Sequence, residues 1–210
     1  LTTRKIVLLG LQVAAIISFF LIIHFNRTEE EADRTLLTRQ NTETTTLATT
    51  LEDGSIVYLA GNAAIRYPEH FQPDKREISL QGNALFDIAG NRQRPFLIET
   101  EDARIEVLGT AFNIKSDGFQ PFELSVQRGL VKVTLKKSGQ DVHVKAGETV
   151  TVSSRKLQVT QTKDSGQFDE YVRQIRFKDE RLADILRVIN LNTGDISLKT
   201  TPELADRTLT

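Results

Sequence analysis

Between Thr46 and about Val159 the chain is written in short apolar or alternating runs separated by turn residues, and no run is long enough for an ordinary helix. The runs are Ser55 to Leu59, Ala64 to Tyr67, Glu77 to Leu80, Ala84 to Ile88, Phe96 to Glu99, Ala103 to Leu108, Ala111 to Lys115, Glu123 to Gln127, Leu130 to Leu135, Asp141 to Val144 and Thr149 to Val152. In an extended chain successive side chains point to opposite faces, so alternation of this kind gives each run one apolar face. Such runs at short, regular spacing predict an all-β domain over 47–160, a sandwich, barrel or β-helix. Asp53-Gly54, Ser138-Gly139 and Ala146-Gly147-Glu148 supply the glycines that tight reversals require. Pro68, Pro73, Pro95 and Pro121 stand at run boundaries, where a missing N–H costs no ladder bond.

The N-terminal part follows a different rule. Ile6 to Phe25 is a stretch of 20 residues without a formal charge, interrupted only by Gln12, Ser18 and His24 among polar side chains. About 20 apolar residues in a helix span the hydrocarbon core of a bilayer. A cleaved signal peptide has a shorter apolar core, about 7–15 residues, and a small-x-small exit, whereas this run exits through Ile22, Ile23, His24 and Phe25. The reading is a single transmembrane helix over 6–25 with a stub at 1–5. Arg4 and Lys5 before the helix are balanced by Arg27, Arg34 and Arg39 after it, so flanking charge does not orient it. Residues 26–46 are rich in Glu, Thr, Arg and Asn and predict a solvated linker. A first residue Leu1, with no methionine in the chain, reads as the start of a fragment.

After Gln167 the grammar changes again. Ile175-Arg176-Phe177 alternates as a strand, and Leu182, Ile185, Leu186 and Ile189 fall on one helical face, with Asp179 as N-cap and Gly194 ending the helix. Asp195 to Leu198 reads as another strand, making residues 168–210 a small, partial α+β domain of β-α-β order that stops before a closing strand. Part of that apolar helix face is expected to remain available as a partner site.

Charge and composition exclude several classes of function. Lys+Arg 27 against Asp+Glu 28 leaves a net charge of -1, so no basic field points to nucleic acid. There is no cysteine for disulfides, thiol catalysis or thiolate metal sites. His24, His70 and His143 are isolated from ligand spacing, so neither a metal nor a cofactor is expected, which argues against a metal-dependent enzyme on a jelly-roll barrel. Phe71, Phe86, Phe96 and Phe112 alternate with apolar neighbours and are expected in the core rather than on a sugar-stacking face. Asp53 and Glu148 sit beside turn glycines and are not brought together as an acid and base by anything in the sequence.

The ordered set Leu51-x-Asp53-Gly54-Ser55-x-Val57-x-Leu59, Tyr67-Pro68-x-x-Phe71, Arg76-x-Ile78-x-Leu80-x-Gly82-x-Ala84-x-Phe86-x-Ile88, Pro95-Phe96-x-Ile98 and Val107-Leu108-Gly109-Thr110-x-Phe112-Asn113-Ile114 resembles the FecR family of transmembrane anti-sigma regulators. The tail, Ile175-Arg176-Phe177 followed by Leu182-x-x-Ile185-Leu186, resembles the small C-terminal domain of such proteins, related to the signalling-domain fold of secretin and TonB systems. The resemblance implies a single-pass bacterial inner-membrane protein, mostly periplasmic. Its expected partners are the signalling domain of a TonB-dependent outer-membrane transporter and, through a cytoplasmic N-terminal domain missing here, an extracytoplasmic-function sigma factor. Siderophore, iron or glycan uptake are the usual inputs. No ordinary enzyme activity is implied.

The resemblance also singles out Gly109-Thr110, because in some members this bond is cut autocatalytically when the Thr hydroxyl attacks the preceding carbonyl. The competing reading makes Gly109 a bulge or turn between two strands. An anchored glycan-binding or structural β domain is the alternative for the whole chain.

Overall fold

The computed structural model describes residue 18 and residues 35–153, 156–194 and 197–209. The expected stub, most of the membrane helix and the first part of the linker lie outside the described residues. Among the described residues no helix is long and apolar enough to cross a membrane.

The first fourteen strands are β1 (Leu36–Gln40), β2 (Thr46–Thr50), β3 (Ile56–Leu59), β4 (Ala64–Pro68), β5 (Arg76–Gln81), β6 (Ala84–Asp87), β7 (Phe96–Glu99), β8 (Ala103–Val107), β9 (Ala111–Lys115), β10 (Glu123–Arg128), β11 (Leu130–Leu135), β12 (Asp141–Lys145), β13 (Glu148–Ser153) and β14 (Lys156–Gln161). Each of the eleven runs read from the sequence is one of β3 to β13. A 3-10 turn at Ser165–Phe168 leads into α1 (Asp169–Arg173), β15 (Ile175–Arg176), β16 (Glu180–Arg181), α2 (Leu182–Asn192), α3 (Pro202–Ala205) and β17 (Thr208–Leu209).

The strands form a seven-stranded sheet in the order β1-β4-β5-β7-β8-β11-β12 and an eight-stranded sheet in the order β14-β13-β10-β9-β6-β3-β2-β15. A separate two-stranded ribbon joins β16 to β17. Most pairings are antiparallel, while β5 runs parallel to β7 and β15 parallel to β2. The two large sheets enclose one core. One face of the seven-stranded sheet contributes the cross-strand row Ile78, Ile98, Ile105 and Val133, and the eight-stranded sheet contributes Val57, Phe86, Phe112 and Val126. Phe86 and Phe112, opposite each other in register, stack with ring centroids 5.3 Å apart, and Phe71 meets Phe96 edge-on at 5.8 Å. All four are buried, as their alternation predicts.

Ile56 to Leu59 is apolar at every position because β3 is covered on both faces. Val57 and Leu59 face the core between the sheets, while Ile56 and Tyr58 join Ala48 and Leu85 on the other face, beneath Phe168, Tyr171 and Val188 from the C-terminal segment.

Two boundaries differ from the sequence reading. The linker expected over 26–46 gives way at Leu36, where β1 begins, and Asn41 is fully buried with its Nδ2 donating to Thr45 O and Leu59 O. The strand is mostly exposed, so it lacks the apolar period that marks a strand in sequence. The C-terminal segment is likewise not a free-standing β-α-β unit. Its strand β15 extends the eight-stranded sheet, and the described residues from Leu37 onward belong to one compact unit. Residues 197–200 have no regular structure, and the strand that pairs with Glu180–Arg181 is Thr208–Leu209. Asp179 does not cap the helix. It takes a positive φ of 54° in the turn before β16, and Arg181 is the capping position.

Candidate functional site

The Gly109-Thr110 bond lies in the turn that carries the chain from β8 to β9, which places it in different sheets on either side. The turn is pinned by backbone hydrogen bonds: Asn91 N donates to Leu108 O at 2.7 Å and Ile88 N donates to Thr110 O at 2.9 Å. Backbone also packs on backbone here. A Cβ at Gly109 would stand 2.6 Å from Gly90 Cα, and a Cβ at Gly129 would stand 2.6 Å from Thr110 Cγ2 and 3.1 Å from Gly109 O. Gly129 holds φ at +92°, which L side chains rarely adopt. The Gly109-Thr110 peptide is therefore gripped by two other glycines, Gly90 and Gly129, about 20 residues away on either side in the chain.

Thr110 is only 2% exposed, and its Oγ1 has no hydrogen-bond partner. A buried hydroxyl ordinarily finds one, since leaving it unpaired costs roughly 1–3 kcal/mol. Among the described residues no hydrogen bond fixes the direction of this hydroxyl. The same turn lines a cavity of about 570 Å³ with Arg92, Glu106, Leu130, Lys132 and His143. Strand register explains the grouping: Lys132 stands opposite Glu106 on β8 and opposite His143 on β12, so one cross-strand row presents a carboxylate, an ammonium and an imidazole to one opening. These groups were not legible as partners of Gly109-Thr110, because 37 positions separate Glu106 from His143 and only pairing through β11 makes them neighbours. Gly109 lies between β8 and β9, where the competing reading puts a turn.

The helix face read as a partner site is split by the fold. On α2, Ile185 is buried together with Val188, while Leu182, Leu186 and Ile189 are half-buried. Leu186 lines a shallow groove of about 320 Å³ with Leu191 and Leu198. Asn190 closes one side of it by donating from Nδ2 to Leu198 O at 2.8 Å and accepting from Leu198 N at 2.7 Å.

The weaker candidates have structural roles. Asp53 accepts hydrogen bonds from Ser55 N and Oγ and pairs with Arg76, while Glu148 accepts from Lys145 N beside the Gly147 turn. Among the described residues no group of His, Asp and Glu is arranged to hold a metal ion.

The fold is a two-sheet β domain with a glycine-gripped Gly-Thr turn between its sheets, closed on one face by a short helical segment. The family model described as FecR protein matches residues 38–132 of the chain. Two crystal structures of a candidate anti-sigma factor from Parabacteroides distasonis ATCC 8503, at 2.50 and 1.65 Å resolution, are similar in fold, with TM-scores of 0.61 and 0.60 at 22% identity. The first match covers 74% of each chain and the second 73%. No curated protein matches the sequence.

Proposed function

We propose that this chain is the anchored, signal-receiving part of an anti-sigma regulator of the bacterial envelope. The observation that carries the reading is the match to the FecR protein family model over 38–132, on a fold shared with proteins described as anti-sigma factors. In this reading the apolar run over 6–25 anchors the chain in the inner membrane, and the β domain stands in the periplasm. The domain receives a signal from a TonB-dependent transporter, and a cytoplasmic segment restrains an extracytoplasmic-function sigma factor. The half-buried α2 residues Leu182, Leu186 and Ile189 are candidates for the receiving surface.

Self-cleavage at Gly109-Thr110 belongs to the same proposal. Thr110 Oγ attacks the Gly109 carbonyl carbon and its proton passes to a base at the cavity, for which Glu106 and His143 are the candidates. The base returns that proton to the Thr110 nitrogen as the C–N bond breaks, which leaves an ester and a free Thr110 amine. Water then hydrolyses the ester to a Gly109 carboxylate. Glycine at 109 leaves the carbonyl unshielded by a side chain.

The test pairs topology with transcription in cells making the full-length protein. Alkaline phosphatase fused after Gln120 is expected to be active. Deleting the region that encodes 38–209 is expected to change transcription from promoters dependent on one extracytoplasmic-function sigma factor. A cytoplasmic reporter signal, or a transcriptome unchanged for every such sigma factor, overturns the reading.

A further inference from the structure

Residues 165–192 lie on the face of the eight-stranded sheet that points away from the main core, and several features set this layer apart from what it covers. Its buried apolar residues form a cluster of their own: Ala48, Ile56, Tyr58 and Leu85 from the sheet with Phe168, Tyr171 and Val188 from the segment. That cluster has seven buried members, against twenty-nine in the core between the sheets, and the two lie on opposite faces of β3. Because burial of apolar surface is the main favourable contribution to folding, the smaller cluster holds its layer far less firmly than the larger one holds the sheets together.

The remaining attachments are polar: Arg176 donates from Nη2 to Asn41 Oδ1 at 3.0 Å and holds its Nε 3.3 Å from Glu43 Oε2, and Asp179 pairs with Arg39. The ladder between β15 and β2 is two residues long, Ile175 opposite Thr46 and Arg176 opposite Leu47. One further backbone bond runs from Thr46 N to Gln174 O at 3.2 Å. Glu180, buried to 6% exposure, accepts from Thr49 Oγ1 at 2.6 Å through Oε1 and from Thr50 N at 3.4 Å through Oε2. Asn192 Nδ2 donates to Tyr58 Oη at 3.1 Å, Asn113 Nδ2 donates to Gln167 Oε1 at 3.2 Å, and Arg187 donates to Gly54 O. Two buried polar atoms in this layer make no hydrogen bond: Arg187 Nε and Asn113 Oδ1. Unpaired buried polar atoms lower the stability of the state that contains them, so this interface is held below what its area could provide. Local opening draws on such low-stability elements, while the densely buried core stays closed.

We propose that residues 165–192 are a strap that opens from the eight-stranded sheet as one unit while the two-sheet core stays folded, with the Glu180 to Thr49 hydrogen bond as its latch. The open form uncovers the row Ala48, Tyr58, Leu85 and Asn113, which strand register aligns across β2, β3, β6 and β9, and frees the outer edge of β2. The protein thereby has two states that differ in one exposed apolar strip and one unpaired strand edge, the elements a binding event can select between. The inference concerns the fold alone and stands whether or not the chain regulates a sigma factor.

Hydrogen exchange of the full chain across a series of low guanidinium concentrations tests it. Amides of α2 are expected to exchange at least tenfold faster than those of β9 and β10, with a weaker dependence on denaturant. Val188→Asp, which places a charge in the small cluster, is expected to raise the α2 rates a further tenfold or more while β9 and β10 keep theirs. Glu180→Ala is expected to accelerate α2 several-fold and Glu180→Gln to do so less. If α2, β9 and β10 share one rate and one denaturant slope in the parent and in Val188→Asp, the strap is an inseparable part of the domain and the proposal fails. A parent-like α2 rate in Glu180→Ala removes the latch from it.

Discussion

Arg76 Nη1 lies 2.6 Å from Asp53 Oδ2, and both side chains are buried, at 1% and 8% exposure. The guanidinium also donates from Nε to Arg94 O at 2.9 Å and from Nη1 to Ala89 O at 2.8 Å, and it sits 5.2 Å over the Phe96 ring. Asp53 in turn accepts from Ser55 N and Ser55 Oγ in the turn between β2 and β3. One ion pair thus ties the first hairpin of the eight-stranded sheet to the start of β5 in the other sheet.

Removing one member of this pair strands the other charge in the interior. Arg76→Met is expected to lower the unfolding free energy by about 3–5 kcal/mol, and Asp53→Asn by less, since the amide keeps the Ser55 hydrogen bonds within reach. Replacing both residues with uncharged side chains is expected to cost less than Arg76→Met alone. Guanidinium unfolding of the three variants measures this, and a double variant less stable than either single one contradicts the account.

Gly129→Ala is expected to destabilise by about 2–3 kcal/mol, because the new methyl meets Thr110 Cγ2 at 2.6 Å on a backbone with φ of +92°. Gly139→Ala serves as the control: φ is +69° there as well, but the space around it is open. Its cost is expected near 1 kcal/mol, from backbone strain alone. Equal losses of thermal stability in the two variants would show that the contact with Thr110 contributes nothing.

For Gly109-Thr110 itself the readout is an immunoblot of the full-length protein tagged at its C-terminus. The wild type and Thr110→Ser are expected to yield a fragment beginning at residue 110, and Thr110→Ala only the intact band, because the proposed reaction uses the hydroxyl as its nucleophile. Gly129→Ala shifts the Thr110 methyl and is expected to slow the reaction at least tenfold. Intact protein in every lane assigns the Gly-Thr turn a purely structural role.

Burial raises the Glu180 carboxyl pKa above its ordinary value, while the Thr49 and Thr50 hydrogen bonds and Arg39 pull it back and Asp184 adds to the rise. The closed strap therefore binds a proton more tightly than the open one. Closure is strongest below the ordinary carboxylate range, about pH 4, and weakens as pH rises through the raised value. After correction for intrinsic exchange, protection of α2 amides is expected to fall from about pH 4 to 7, and Glu180→Gln is expected to flatten the curve. The other charges nearby, Asp179 paired with Arg39 and Asp184 paired with Arg181, remain in that variant, so a slope that persists unchanged would assign the effect to them.

Much of the β domain was legible in sequence because a strand with one buried face must alternate, and β3 to β13 do so or read as short apolar runs between turn residues. The motifs that resemble the FecR family were legible for a related reason: they record turns and core positions such as Asp53-Gly54, Phe86 and Phe112. Strand β1 was not legible, since an exposed strand carries no apolar period. The surroundings of Gly109-Thr110 were equally hidden. Glu106, Lys132 and His143 look like ordinary solvent-facing positions of three strands until the sheet sets them side by side.

By itself, the sequence determined the local conformations, because alternation, turn glycines and the spacing of α2 act within a few residues of chain. Tertiary structure decided which faces meet. A period of two says that a strand has an apolar side, yet it does not say that β5 lies parallel to β7, that β15 joins β2 about 130 residues earlier, or that Glu180 is buried against Thr49. Those pairings depend on the shape and hydrogen-bonding edges of whole sheets, properties that exist only once distant segments have come together.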